Sequence, residues 1–409
     1  MTTIKVKFRP STVAGRPGSI VYLVTHRRVV RQITTGYKIY PDEWDEKQAT
    51  LIARGNKDDD GRSQYITLVA KRIRQDMERL DAVIREQENK STGFTSDDVV
   101  ASFHGFLKSH SFRNFMAESI DRLKRLDKER TAETYTSAMN SFMRFRGGRD
   151  VLFDEITSDL MMEYEAWLRG NGVKKNTVSF YNRILRAVYN RAVEKELVVQ
   201  HYPFKHVYTG IDKTVKRAIT LEEIKKIKEL DLSFKPSLDF ARDMFLFSFY
   251  TRGMSFVDMA YLKREDLQNG MLTYCRKKTG QRLSIRWEPC MQQIVERYPN
   301  GNPAYLLPIL VRSDSDERRQ YKNVGHLINR NLRKLGRELG LAVPLTMYVA
   351  RHTWASVARS RNIPLSVISE SMGHDSEATT RIYLASLDTA VVDQANRLVI
   401  NSLSEEDLG

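Results

Sequence analysis

The stretch Val349-Ala350-Arg351-His352-Thr353-Trp354-Ala355-Ser356, then Ser371-Met372-Gly373-His374-Asp375, then Thr379-Thr380-Arg381-Ile382-Tyr383, decides how the rest of the chain is read. It spaces an arginine, a histidine 23 positions on and a tyrosine nine beyond that. A tyrosine hydroxyl is a nucleophile able to form a covalent intermediate. An arginine fork and an imidazole can hold the charge that builds on phosphoryl oxygens during such an attack. Each member also has a plain structural reading. Tyr383 is one of 18 tyrosines, Arg351-His352 fits a helix with a paired arginine, and Gly373-His374 fits a helix C-cap. Order and spacing together favour phosphodiester chemistry.

Composition points the same way. Lys and Arg number 66 against 51 Asp and Glu, a formal net charge of +15. An excess of that size suits a polyanionic partner and is silent about fold. A soluble basic factor associated with RNA or ribosomes would satisfy the same balance. The excess is concentrated, because residues 1–41 hold eight cations (Lys5, Lys7, Arg9, Arg16, Arg27, Arg28, Arg31, Lys38) and no acid. With 41% hydrophobic residues, the 409-residue chain can build real cores. Its length suits about two to four domains. No apolar run nears a membrane span and no apolar signal region opens the chain, so a cytoplasmic, nucleoid-associated protein without a membrane partner is expected. Cys275 and Cys290 are too few for a disulfide framework or a cysteine-rich zinc site. No spaced carboxylate cluster and no nucleotide-binding glycine loop stand out, so no metal and no other cofactor are expected.

Working back toward the N-terminus, Ile4-Val6-Phe8 alternates, 20–24 is a β-rich run and 28–35 follows it, with Gly15, Pro17, Gly18 and Gly36 as turns. A helix from about Gln64 to Glu88 completes a small α+β module over 1–92. Its basic face, including Arg27 and Arg28, offers contacts to DNA, and a merely solvated face is the alternative. From 93 to 202 the pattern is helical, at about 96–109, 112–126, 131–146, 157–169 and 176–197, with Thr131 and Thr157 opening two of the helices. The last helix buries Val178, Tyr181, Ile184, Leu185, Val188, Tyr189 and Ala192. Lys174, Lys175, Arg183 and Arg186 are left elsewhere on it, able to meet phosphates or to be solvated. Residues 203–216 break the periodicity and read as an inter-domain linker. Thr220 with Glu223 forms a capping box that opens a third domain over 217–403. That domain holds helices at 238–250, 256–262, 324–338, 348–359 and 365–371, and a hairpin from Met271–Cys275 through Lys277-Lys278-Thr279-Gly280 to Arg282–Trp287. The expected fold class is mainly α in three domains: a small α+β module, an α-helical bundle, and a mostly α domain with a small β-hairpin. The tail Val391, Val392, Ala395, Leu398, Val399 and Leu403 is amphipathic at helical spacing, and 404–409 read as frayed and acidic.

The boxes at 349–356, 371–375 and 379–383, with Lys278 at a hairpin tip, resemble the motifs of the tyrosine recombinases, the phage-type integrases. The resemblance is strong over 217–400, and extends to 95–200 as a core-binding domain and to 1–90 as an arm-binding domain. It implies that Tyr383 attacks a scissile phosphate, leaving a 3′-phosphotyrosyl bond and a free 5′-hydroxyl. Arg351 would bind a non-bridging oxygen, His374 would donate to the phosphoryl group, and Lys278 would be the general acid for the leaving oxygen. The partners implied are duplex DNA at core and arm sites, a homotetramer whose tails dock on neighbouring protomers, and host DNA-bending or excision accessory proteins. Integration and excision of a mobile element is the expected role, with inversion of a chromosomal segment as the alternative. A relaxing enzyme of the type IB topoisomerase kind shares the chemistry, but the basic arm module favours site-specific assembly.

Two positions depart from that pattern. Counting back eleven residues from Asp266, the first catalytic arginine should stand at 255, where the chain has Ser255. Arg252 lies three residues upstream and would reach the same phosphate if the segment were helical. Tyr348 stands where a histidine is usual, and a phenol can donate a hydrogen bond but cannot be a base near neutral pH. A missing first arginine resembles the integrases of conjugative transposons and related DNA invertases. The departures also leave open a decayed, DNA-binding architectural protein, against which the retention of Tyr383, Arg351, His374 and Lys278 argues.

Overall fold

The computed structural model describes residues 2–52, 60–90, 93–212, 217–314, 316–384, 396–397 and 400. It divides into two compact units, Met1–Asp212 and Lys213–Gly409.

The first unit opens with an antiparallel sheet of β1 (Thr2–Arg9), β2 (Gly18–His26) and β3 (Val29–Ile39) in that order. Alternation along β1 turns Ile4, Val6 and Phe8 inward and leaves Lys5, Lys7 and Arg9 exposed. The register sets Lys5 opposite Leu23, Lys7 opposite Val21, and Arg9 opposite Ser19, which in turn pairs with Lys38. The β2–β3 turn is Arg27-Arg28, with φ of 46° and 70°. Left-handed pairs of this kind favour Gly or Asn, so this turn carries backbone strain. A short ladder of β4 (Trp44–Asp45) and β5 (Thr50–Leu51) leads to α1 (Asp60–Asn89). Helix α1 and α2 (Ser96–His110) cover the inner face, burying Ile66, Leu80, Val99 and Phe103 against Ile20, Tyr22, Val24 and Ile33. The helix counted from sequence with the bundle therefore packs on the sheet.

Beneath the sheet, Asp76 of α1 is buried and accepts from the Tyr22 and Tyr37 hydroxyls at 2.7 and 2.8 Å and from Arg79 Nη1 at 3.2 Å. Burial, then the Asp76 charge, pushes both phenols well up, so they remain donors. Arg79 also reaches both oxygens of Asp154, at 2.9 and 2.7 Å.

The bundle consists of α3 (Phe112–Arg125), α4 (Glu129–Phe145), α5 (Ser158–Gly170) and α6 (Lys175–Glu194) around Phe112, Phe142, Phe153, Tyr164 and Tyr189. Thr157 caps α5 as read, accepting from Leu160 N at 3.2 Å. Helix α4 instead starts at Glu129 behind Lys128, without a side-chain cap, so Thr131 lies inside it.

Residues 203–212 were read as linker, yet they lie along the bundle. Phe204 and Val207 enter its core. Asn182 Nδ2 donates to Tyr208 O at 3.1 Å, Tyr208 N donates to Glu165 at 2.6 Å, and Asn176 and Asp212 bond reciprocally at 2.9 and 2.7 Å. Aperiodic sequence here means an irregular strap held by side chains on α5 and α6. The rest of the expected linker, 213–216, lies outside the described residues.

The second unit runs α7 (Leu221–Glu229), α8 (Pro236–Tyr250), α9 (Phe256–Ala260), a sheet of β6 (Leu267–Gln268), β7 (Met271–Cys275) and β8 (Arg282–Arg286), then α10 (Pro289–Arg297), α11 (Glu317–Glu338), α12 (Met347–Ser360), α13 (Leu365–Ser371) and α14 (Glu377–Tyr383). Thr220 and Glu223 form the expected capping box, at 3.1 and 2.7 Å. Helix α8 is buried nearly all round and is the centre on which α11 and α12 pack. That explains its weak amphipathicity. Helix α10, not read from sequence, is short and has no side-chain cap. The tail positions 391–395, 398–399 and 403, with 404–409, lie outside the described residues. Among the described residues, no helix is long and apolar enough to cross a membrane.

Replacing Asp76 with Ala strands two buried hydroxyls and part of Arg79. The expected cost is about 3 kcal/mol. It should appear as a loss of roughly two orders of magnitude in hydrogen-exchange protection along β2 and β3.

Candidate active site

Arg351 sits on α12, whose other sides bury Val349, Ala350 and Ala355 in the unit's cores. It is only 4% exposed. A buried guanidinium must be hydrogen-bonded, and here turns supply the acceptors. Nη1 donates to Gly253 O at 2.7 Å, and Nη2 to Met372 O at 2.6 Å and to His374 Nε2 at 2.9 Å. Gly253 has φ +71°, and a Cβ there would stand 2.7 Å from Arg351 Cα. Only glycine lets the turn after α8 come this close.

His374 follows Gly373 (φ +64°) at the C-terminus of α13, where His374 N bonds Ser369 O at 3.0 Å. Its Nδ1 lies 2.8 Å from Thr380 Oγ1 on α14. Burial, then Arg351, Arg276 and Lys278 in turn, pushes its pKa down to about 3. The ring is therefore neutral near pH 7. Arg351 can only donate, so Nε2 is the acceptor and Nδ1 carries the proton toward Thr380. Tyr383 ends α14, one helical turn beyond Thr380, and its side chain lies outside the described residues.

The β7–β8 turn brings up the remaining cations. Lys278 is exposed within it, as its hairpin-tip position predicts. The amine of Lys277 turns away, lying 3.5 Å from the centroid of the Tyr261 ring. Arg276 is 5% exposed and donates through Nη1 to Gly373 O. Sequence reading missed Arg276. The available signal was period two, because Leu272, Tyr274 and Arg276 share the buried side of β7 and its extension.

The two departures resolve differently. Thr251–Met254 is a turn, not a helix, and Arg252 itself has φ +59°. The helical relation between 252 and 255 is thus absent, and Arg252 Nη1 donates to Ser284 O at 3.3 Å. Ser255 caps α9 and donates to Asp258 Oδ2 at 2.6 Å, while Asp258 Oδ1 accepts from Lys277 N at 2.8 Å. Tyr348 is 45% exposed on the first turn of α12, edge-on to the His352 ring at 4.6 Å.

The expected DNA contacts all lie in the first unit. Arg27 and Arg28 are exposed at a hairpin tip, Lys174 at the start of α6, and Arg183 on its surface. Lys175 and Arg186 are partly engaged by the strap: Lys175 Nζ lies 4.8 Å from the Tyr208 ring and 3.7 Å from Asp212, and Arg186 is 3.3 Å from Thr209. Sequence alone could not reveal those partners. Among the described residues, no group of three or more His, Cys, Asp or Glu could hold a metal ion.

Residues 111–207 match the phage integrase SAM-like domain, and residues 243–390 match the phage integrase family. Together these cover more than half of the chain, and the second contains Arg276, Arg351, His374 and Tyr383. The chain belongs to the tyrosine recombinases. It is thus an enzyme that cleaves and rejoins DNA. Tyrosine recombinase XerA of Pyrococcus furiosus is 26% identical over 269 residues, 56% of this chain and 90% of that one. The Tn1549 transposon integrase in complex with circular intermediate DNA superposes with a TM-score of 0.54 at 16% identity, covering 70% of this chain and 99% of that one. The lambda integrase tetramer bound to a Holliday junction gives 0.51 at 14% identity, covering 89% and 92%. At these identities the two superpositions speak for the fold.

In the DNA-free recombinase, the His374 ring resonances should not titrate between pH 8 and 5, as read by NMR. Its folded pKa is depressed, so the unfolded chain takes up the proton first. Stability tied to this ring should be present above about pH 6.5 and decline toward pH 3. An imidazole titrating near 6.5 would contradict the buried, neutral ring.

Proposed function

We propose that the recombinase cuts its crossover site through Tyr383 and serves the integration and excision of a mobile element. One observation carries the catalytic part. Arg351, Arg276 and Lys278 all bear on a buried, neutral His374, which bonds Thr380, one helical turn before Tyr383. Cations gathered around a desolvated site suit a phosphodiester.

In this reading the Tyr383 oxygen attacks the scissile phosphorus and the bond to the 5′-oxygen breaks. A 3′-phosphotyrosyl link forms and Lys278 gives the leaving oxygen its proton. A phenol of pKa ~10 needs neighbouring cations to ionise near pH 7. Arg351 exchanges its turn carbonyls for a non-bridging oxygen, a donor worth about 3 kcal/mol in the transition state. The phosphate's negative charge raises the His374 pKa, turning an acceptor of Arg351 into a donor to the phosphoryl group. The phosphotyrosyl bond conserves the energy of the original diester, so a second 5′-hydroxyl can resolve it. Tyr348, half-exposed at the mouth of α12, is a hydrogen-bond donor at most.

The mobile-element role rests on the first unit. The sheet's outer face carries Lys5, Lys7, Arg9 and Lys38, and Arg27 and Arg28 extend it at the hairpin tip. Such a surface suits the phosphates of a second class of site, beyond the crossover. Lys174 and Arg183 on α6 offer contacts at the crossover itself. Assembly as a homotetramer on duplex DNA, with accessory DNA-bending proteins and residence on the nucleoid, follows from the same reading. Likeness to a transposon integrase and to a tetrameric integrase on a Holliday junction supports it.

A nicked suicide duplex carrying the crossover site should give a covalent adduct with the wild type and none with Tyr383→Phe. A wild type that binds this duplex without forming an adduct would reduce the protein to a DNA-binding factor. Separately, replacing Lys5, Lys7 and Arg9 together with Ala should flatten the slope of log affinity against log salt by about 3 on arm-site DNA. An unchanged slope would remove the sheet face from the DNA contacts.

A further inference from the structure

We infer that Tyr261 is a positioning residue for the proposed strand cleavage. It holds the amine of Lys277 on its ring, and so leaves Lys278, of these two adjacent lysines, to reach the leaving 5′-oxygen. The inference rests on the phosphotyrosyl reading with Lys278 as general acid, and adds what selects that lysine.

Sequence cannot separate the two. Lys277 and Lys278 are adjacent, chemically identical and both exposed on the β7–β8 turn. The turn itself is closed, because Arg276 N donates to Gln281 O and Gly280 N to Arg276 O, each at 2.8 Å. Each lysine nevertheless keeps a flexible four-carbon stem that can swing its amine. One leaving oxygen takes one proton, so a second ammonium at the site adds no acid and repels the first.

The fold treats the pair unequally. Lys277 is held at both ends by one short element: its N–H donates to Asp258 Oδ1 at 2.8 Å, and its Nζ lies 3.5 Å from the centroid of the Tyr261 ring. Asp258 lies in α9 and Tyr261 caps its end, one turn on, with Tyr261 N bonding Asp258 O at 3.2 Å. An ammonium over a ring face is attracted by the ring quadrupole. The cavity alongside strengthens that hold, since Asp258, Glu265, Asp266 and Glu317 line it together with the cations Lys263 and Arg282. The ring is also braced. Tyr305 stands edge-on to it at 6.2 Å and Tyr321 lies at 6.4 Å, while the Tyr305 hydroxyl donates to Glu317 at 2.5 Å. Lys278, by contrast, bears on His374, whose pKa it helps to hold down.

The strength of the clamp sets the size of the effect. A cation on an exposed ring shifts an equilibrium roughly two- to fivefold. The test compares single-turnover adduct formation on two nicked suicide duplexes, one with the natural 5′-oxygen at the scissile position and one with sulfur in its place. On the second, Tyr383 oxygen attacks phosphorus, the phosphorus–sulfur bond breaks and a thiolate leaves without needing a proton, because a thiol is far more acidic than an alcohol. Lys278→Ala should cut the oxygen duplex about 100-fold or more slowly and the sulfur duplex at the wild-type rate. Tyr261→Leu and Lys277→Met should cut the oxygen duplex about two- to fivefold more slowly, at near-normal DNA affinity, and should likewise recover on sulfur. Tyr261→Phe and Lys277→Arg, which keep the ring and the charge, should match wild type on both. Lys277→Met alters an exposed side chain, so its result does not depend on the packing of Tyr261.

An unimpaired Tyr261→Leu overturns the inference. So does an equal deficit on oxygen and sulfur, which is the behaviour of a structural residue. A Lys277→Met deficit that comes with lost DNA affinity also overturns it, because the amine then meets DNA and not the ring. Two other results strike the underlying reading instead: no wild-type adduct on either duplex removes the phosphotyrosyl chemistry, and a Lys278→Ala deficit that persists on sulfur removes the general-acid assignment.

Discussion

Two guanidinium groups taken out of water are the constraint around which the second unit is built. Leaving either unsatisfied would cost several kcal/mol, about the whole stability margin of a domain. The fold meets them with carbonyls that helix ends leave without partners. Gly253 O comes from the turn after α8, and Met372 O and Gly373 O from the end of α13. Both turns need glycine, one because its neighbour is the Arg351 backbone, the other because it meets Arg276 and Leu283. The C-terminal end of a helix also carries partial negative charge. In the proposed chemistry a phosphate displaces these dipolar acceptors from the cations.

His374 is tuned by the same arrangement. Its ring accepts from one cation and feels two others, and so stays neutral until negative charge arrives. Thr380 fixes the opposite edge, joining the ring to the helix that ends in Tyr383. In the proposed mechanism, substrate binding, imidazole protonation and the position of the helix that ends in Tyr383 are therefore linked through a single side chain. A histidine in water, already half charged near its ordinary pKa, would lack this dependence on the bound anion.

Much of this was legible in the chain. The Thr220 capping box and the alternation in β7 and β8 each express a local rule, and each element formed where the rule put it. Part of what failed had non-local causes. Helix α2 looks like any amphipathic helix, and only Val99 and Phe103 meeting the sheet assign it to the first core. The strap at 203–212 lacks periodicity because its order comes from Asn176, Asn182 and Glu165, which are distant in sequence. Arg252 was a candidate by helical spacing, and two successive left-handed residues removed the helix. Arg276 was overlooked beside Lys278 because a run of basic residues reads as solvated surface. The strand period distinguishes its inward member.

The β7–β8 hairpin carries Arg276 and Lys278 two residues apart, one turned inward and one exposed. Arg276 reaches Gly373 O, so the position of the hairpin and that of the turn before His374 are tied together. Its register on β7 and its anchor to Asp258 set both cations at once. In the proposed chemistry, a small displacement of two strands would therefore move the general acid and loosen the turn that carries His374. Ser255 belongs to that anchor, because its hydroxyl donates to Asp258 Oδ2 while Oδ1 accepts from Lys277 N.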